Sequence, residues 1–293
     1  MDAFDEKDPT SVSKKTRRRL NNGKTVVKED GKLRFGYPLE YNIQEMDTQV
    51  RQSWVDTLGY LQQEGHTVRP VSLPTTRQAL STYYVLAPAE ASSNLARYDG
   101  VRYGYRAFGP DEASDEALYV KTRGNGFGDE VKRRILLGTY TLSSNAIENY
   151  FIQAQKVRRL VQRDFDGVFS RVNPLRDATE YDEKSDNGNE EEDRVDFLIC
   201  PTAPTLPPLL TTLKNDDGSL HEYINDVFTV PASLAGLPAL SVPMNAPPQR
   251  TDHFVDKRRK YGMQVIGQYG DDHAVLEVGK ILERIRDQHH TKK

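Results

Sequence analysis

Residues 33–74, LRFGYPLEYNIQEMDTQVRQSWVDTLGYLQQEGHTVRPVSLP, decide the fold. Leu33-Arg34-Phe35-Gly36 predicts a short strand. Val50, Trp54, Leu58 and Leu61 then recur at spacings of four, four and three, which places them on one helical face. Asp47 can cap that helix and Gly65 can end it. Val68, Val71 and Leu73 predict a second strand, closed by Pro74. A strand, a helix and a strand within about forty residues form a crossover unit, expected to be right-handed with parallel strands.

Outward from this unit the α/β pattern continues. A long, mostly helical region follows. Ser114 is a candidate cap for a helix with Asp115 and Glu116 in its first turn, where acids suit the positive end of the dipole. Asp129 and Glu130 open another helix, through Arg133, Arg134, Ile135 and Leu136. A third carries Phe151, Ala154, Val157, Val161, Phe165 and Val168 along one stripe. Phe197-Leu198-Ile199-Cys200 reads as a buried strand stopped by Pro201. Leu240-Ser241-Val242 and Met263-Gln264-Val265-Ile266 are two further strands. Val275, Val278, Ile281, Leu282 and Ile285 form a closing amphipathic helix.

Composition narrows the possibilities. With Gly counted and Tyr left out, the apolar share is about 39%, below the usual 45–50%. Part of the chain is therefore expected to be unfolded, or part of its core to come from elsewhere. A net charge of −3 excludes a generally basic nucleic-acid binder. The lone cysteine, Cys200, excludes an internal disulfide and a multi-cysteine zinc site. No apolar run reaches the roughly 18 residues of a membrane span. The opening residues, Met1 to Glu6, have neither a signal-peptide core nor an Arg-rich transit helix.

Charge is uneven along the chain. Residues 13–28 hold seven bases and no acid, and residues 171–194 hold nine acids and four bases. Neither shows helical or strand periodicity, so residues 1–32 read as a mobile basic tail and 171–195 as a disordered acidic insertion. The basic run could instead touch RNA or an acidic partner.

Chemistry-bearing motifs are sparse. Walker, Gly-x-Ser-x-Gly and His-Glu-x-x-His patterns are absent. Of the six histidines, only His289 and His290 adjoin, in a terminal tail. Ser11 and Lys14 satisfy Ser-x-x-Lys, but they fall in the basic tail, and a nucleophile needs a fixed base. Gly124-Asn125-Gly126-Phe127-Gly128 has the look of a phosphate cradle. The acids Asp129 and Glu130 that follow would repel a phosphate, so a tight turn is expected. The segment Pro201–Pro208 follows a strand end, where ligands sit in open α/β sheets. Asp226, between apolar neighbours in Tyr223-Ile224-Asn225-Asp226-Val227-Phe228, is expected to be partly buried, as either a helix cap or a ligand group.

Several segments, in order, are familiar. They are Ala87-Pro88-Ala89-Glu90-Ala91-Ser92-Ser93-Asn94-Leu95-Ala96-Arg97-Tyr98-Asp99-Gly100-Val101-Arg102-Tyr103-Gly104, Gly126 through Ile135, Pro201-Thr202-Ala203-Pro204, and Phe228 through Ala239. The chain resembles the A subunit of glutamyl-tRNA(Gln) amidotransferases, of the amidase-signature group, over roughly residues 4–285. The acidic insert resembles fungal mitochondrial members.

The resemblance implies a partial amidase-signature α/β/α fold over residues 33–288, a mixed β-sheet flanked by helices. It implies a glutaminase in which a serine, activated through a second serine in a cis peptide and a lysine, attacks the glutamine side-chain amide. Ammonia then passes to a B subunit, which uses ATP and Mg and acts on Glu-tRNA(Gln); a small accessory subunit completes the complex. It also implies a mitochondrial setting. The Gly/Ser-rich segment that holds the catalytic set is missing here, since Asp5-Glu6-Lys7-Asp8-Pro9-Thr10-Ser11 resembles a stretch that follows the nucleophile. No catalytic residue and no cofactor of its own are expected in this chain, and alone it is expected to be inactive. Another possibility is a non-catalytic fragment, or an interaction subunit that complements a separate N-terminal half.

What the resemblance carries over is recognition of a zwitterionic amino acid. Arg134 resembles the carboxylate-binding arginine, Asp226 the acid that holds the α-ammonium, and Tyr83 a tyrosine lining the pocket. Tyr84 and Arg133 are the neighbours that a one-residue shift in register would substitute.

Overall fold

The strand–helix–strand unit of residues 33–74 is present in the computed structural model, which describes residues 4–8, 11–22, 25–27, 31–109, 118–176, 193–208, 223–245 and 260–290. Strand β1 (Arg34–Pro38) and strand β2 (Thr67–Val71) pair in parallel, with Phe35 opposite Val68 and Pro38 opposite Val71. Helix α2 (Thr48–Gln63) joins them. Asp47 caps it as expected, its Oδ1 accepting the Gln49 N–H at 2.7 Å. The buried stripe is Val50, Ser53, Trp54, Thr57 and Leu61. Thr57 takes the inward place expected for Leu58, because its hydroxyl donates to the Ser53 carbonyl at 2.8 Å and so needs no outside partner.

The described residues form two compact units, residues 1–77 with 161–293 and residues 78–160. The first holds the sheet. Strand β3 (Phe197–Pro201) runs parallel to β1, and strand β5 (Lys260–Gly267) runs antiparallel to β3. Strand β4 (Ala239–Asn245) pairs antiparallel with β5, giving the order β2-β1-β3-β5-β4. This mixed α/β sheet is the architecture expected. Every residue of β3 is buried, as a central strand covered on both faces requires. Trp54 crosses from α2 to donate its Nε1 proton to the Ile199 carbonyl at 3.0 Å. Gly36 keeps β1 against its neighbours: a Cβ there would lie 2.8 Å from Leu198 Cδ2 and 2.9 Å from Val71 Cγ1.

Two helices complete this unit, α7 (Val230–Ala235) and α8 (Asp272–His290). Val275, Val278, Leu282 and Ile285 of α8 are buried, while Ile281 is half-buried at the edge of the stripe. Each fully buried side chain of this size contributes about 1.5–3 kcal/mol.

Residues 13–28, read as lacking periodicity, need a correction. Lys14–Asn21 is an α-helix, α1, capped by Ser13, whose Oγ accepts the Thr16 N–H at 3.1 Å. None of its residues is fully buried, so it has no apolar stripe for a sequence reading to detect.

The second unit is helical. Helix α3 (Thr76–Asn94) enters it and continues with Pro88 inside. Helices α4 (Val120–Gly126) and α5 (Asp129–Thr141) follow. A π turn at Glu148–Ile152 then leads into α6 (Gln153–Val168). The stretch from Gly124 to Gly128, expected as a tight turn, is instead the end of α4 and a two-residue link to α5. Gly138 of α5 lies directly against the Pro88 carbonyl of α3. The candidate cap Ser114, and most of the acidic insertion (177–192), lie outside the described residues.

Candidate functional site

Arg134 sits on the second turn of α5, and its placement follows from helical spacing. Its Nε donates to Glu130 Oε1 at 2.9 Å, four residues earlier. Glu130 also pairs with Arg133 through its other oxygen. The bond from Arg134, reinforced by the charge of Arg133, holds the Glu130 carboxyl below its usual range even against desolvation. Glu130 in turn raises Arg134 above its ordinary value, and the nearby Tyr83 adds to this. Two of the residues singled out in the sequence are thus brought together within the helical unit, Tyr83 from α3 and Arg134 from α5. The close approach of these helices at Gly138, one turn beyond Arg134, makes this meeting possible. Tyr84 packs edge-on against Tyr83, ring centroids 5.3 Å apart.

The guanidinium is partly exposed, at 41% of its side-chain surface. Of its five donors only Nε is recorded as bonded, to Glu130, so the fork can still grip a carboxylate. Glu130 was missed by sequence reasoning, which read it only as an acid opening a helix. Its i,i+4 spacing to Arg134 was the available signal.

Asp226 belongs to the sheet-bearing unit and is half-buried, in the turn that leads into α7. Thr229, not Asp226, occupies the N-cap position of that helix. The Asp226 backbone carbonyl instead accepts the N–H groups of Thr229 (3.1 Å) and Val230 (3.0 Å). The turn is anchored at Phe228, which stacks on Tyr41 at 5.0 Å and whose carbonyl accepts Gln264 Nε2 at 3.0 Å. The proline-rich segment after β3 reaches the same place, with Thr205 Oγ1 donating to Asn225 Oδ1 at 2.9 Å. The strand-exit loop and the Asp226 turn therefore form one wall beyond the carboxyl end of β3.

Ser11 and Lys14 do not form a catalytic pair. Ser11 Oγ accepts the Asp5 N–H at 3.1 Å, and Lys14 lies 3.9 Å from Glu6. Cys200, 0% exposed, has its thiol pushed up to about 12 by burial and is no nucleophile. Among the described residues no group of three His, Cys, Asp or Glu could hold a metal ion, and no helix is long and apolar enough to cross a membrane.

The profile of the amidase family matches residues 1–276. The chain belongs to the amidase family. Among curated proteins it is 53% identical over 292 residues to the A subunit of the mitochondrial glutamyl-tRNA(Gln) amidotransferase of Coccidioides posadasii, covering 98% of this chain and 57% of that protein. Against the corresponding mitochondrial protein of Emericella nidulans it is 52% identical, with 97% and 57% covered. Among solved structures, the glutamyl-tRNA(Gln) amidotransferase A subunit from Thermotoga maritima superposes with a TM-score of 0.55 and 29% identity, over 93% of this chain and 46% of that one. A bacterial aryl acylamidase of the amidase-signature family shares the fold, with a TM-score of 0.56 at 18% identity. This amidase-family chain thus spans little more than half the length of the curated relatives it matches.

Proposed function

We propose that this chain is the glutamine-binding portion of an A subunit of a mitochondrial glutamyl-tRNA(Gln) amidotransferase. In this reading Arg134 grips the glutamine carboxylate, Tyr83 orients the guanidinium and lines the pocket, and Asp226 receives the α-ammonium. The attacking serine, with the second serine and the lysine that activate it, comes from polypeptide outside these 293 residues. The released ammonia is used by a B-type subunit, which holds the ATP and Mg, on Glu-tRNA(Gln), in a complex with a small accessory subunit.

The observation that carries the reading is the Arg134 guanidinium, held by Glu130 through its Nε and left with spare donors beside Tyr83. Free glutamine presents one anion and one cation at its α-carbon, so a fixed guanidinium and a fixed carboxylate are the minimum recognition set. Identity above half over nearly the whole chain to named A subunits supports the choice of substrate.

The test is ammonia release from L-glutamine. The purified chain alone is expected to release none. Co-expression with the remaining portion of the Coccidioides posadasii protein should restore release, and Arg134→Ala in that pair should abolish it. Release by the chain alone, or unchanged release after Arg134→Ala, would refute the proposal.

A further inference from the structure

Helix α5 wears its large apolar residues on the outside. Its buried residues are Gly138 and Thr141, on the side where Pro88 and Ser92 of α3 lie against Gly138. Leu136 is 72% exposed, Tyr140 58% and Leu137 47%. At 100° per residue these three fall within an arc of about 100°, on the side turned away from Gly138. Tyr150, 45% exposed, extends the patch, its ring centroid 6.0 Å from that of Tyr140. Single exposed apolar residues are ordinary on a surface, but a contiguous patch of large ones marks a face that another surface covers.

The candidate site fixes where this patch lies. Leu137 is three residues beyond Arg134, so the two are neighbours on the helix surface, about 60° apart around its axis. Arg133, ion-paired with Glu130, falls on the arc between Tyr140 and Leu137. Aromatic and arginine side chains around an apolar centre are the make-up in which protein–protein interfaces are enriched.

We infer that the Leu136–Leu137–Tyr140 face of α5 is the docking surface for the remaining portion of the A subunit, the polypeptide that carries the attacking serine. The inference rests on the glutamine reading above. In that reading Arg134 holds the α-carboxylate, and the side chain of one glutamine is all that separates this carboxylate from the amide under attack. The polypeptide bearing the serine therefore has to come within one amino acid's reach of Arg134, and the apolar face beside Arg134 is the surface it meets there. The relative from Coccidioides posadasii has polypeptide to spare for this, since this chain covers 57% of it. A second copy of this chain is the poorer occupant. In a two-fold pair the face would meet itself, Arg133 included, and like charges would be brought together.

The experiment co-expresses the full chain with the remaining portion of the Coccidioides posadasii protein, purifies the pair without glutamine, and dilutes it. Analytical ultracentrifugation reads the concentration at which half the pair has dissociated. Each apolar anchor lost from a desolvated interface costs roughly tenfold or more, so Leu136→Glu/Tyr140→Glu should raise that concentration by about 100-fold or more. The shape-conserving Leu136→Met/Tyr140→Phe variant should stay close to the parent. In the free chain both variants should keep the parent Tm, as substitutions of exposed residues do. A glutamate variant that assembles as the parent does overturns the inference. So does a free glutamate variant that fails to fold, since the face would then belong to this chain's own core. A parent chain that dimerises by itself, and loses the dimer in the glutamate variant, overturns it too and assigns a second copy to the face. A parent pair that never assembles removes the underlying glutamine reading as well, which keeps the two failures distinguishable.

Discussion

Gly138→Ala tests the geometry on which the glutamine reading rests. A methyl group on Gly138 would sit 2.8 Å from Ser92 Cβ and 2.5 Å from the Pro88 carbonyl carbon, and nearer still to the Pro88 oxygen. Carbon atoms in contact prefer about 3.5–4.0 Å, so α3 and α5 would have to separate by roughly 1 Å. In an unhindered helix, alanine for glycine would stabilise by about 1 kcal/mol. Here the obstruction is main chain and cannot swing aside, so overpacking at the upper end of the usual range, about 3 kcal/mol, outweighs that gain. The expected net loss is about 2 kcal/mol, or roughly 4–8 °C in Tm at 2–4 °C per kcal/mol. Thermal unfolding followed by circular dichroism measures it. Glutamine affinity by calorimetry, in the complemented pair, should weaken in parallel, since the same separation pulls Tyr83 from Arg134. A Tm equal to or above that of the parent chain would refute the reasoning, because it would mean that the two helices do not meet at Gly138.

Two further outcomes follow from buried ionisable groups. Asp196 is partly desolvated, which favours its neutral form, but bonds from Arg34 and Ser170 outweigh this and hold its carboxyl below the usual range. A depressed carboxyl contributes stability above its unfolded value of about 4 and loses it as pH falls through the lower folded value. The urea midpoint should therefore drop below about pH 4, and Asp196→Asn should flatten that drop; a parallel pH profile in the variant would contradict it. The Cys200 thiol, raised to about 12 by burial, should ignore Ellman's reagent in the native chain and react once the chain is unfolded. Rapid reaction in native buffer would show that β3 is open to solvent.

The sheet was legible because its signals are local and agree with one another. Val50, Trp54 and Leu61 mark a helical face, Asp47 caps it, and the fully buried run from Phe197 to Pro201 has no polar interruption. Thr57 was not readable as a core residue, since its inward place depends on bonding its own helix. Helix α1 escaped notice because none of its residues is fully buried, so no apolar stripe of its own marks it. The Gly138–Pro88 contact was likewise invisible: the sequence shows a glycine and a proline about fifty positions apart, and only folding brings them together. For the candidate site, the resemblance selected Tyr83 and Arg134, whereas Glu130, which fixes the guanidinium, looked like an ordinary acid at a helix start. Asp226 remained open between cap and ligand because both roles suit a half-buried acid before a helix. In the structure Thr229 holds the N-cap position, and the Asp226 carbonyl accepts the N–H groups of Thr229 and Val230.

Among the described strands, the two at the margins of the sheet each contain a proline, Pro70 in β2 and Pro243 in β4. Proline has no amide proton to give, so each margin carries a gap in its row of donors. Two molecules meeting margin to margin would find no continuous ladder to extend, and the sheet is guarded against the stacking that turns exposed strands into fibrils. That guard is written into the covalent chain itself and so persists at any pH or salt concentration.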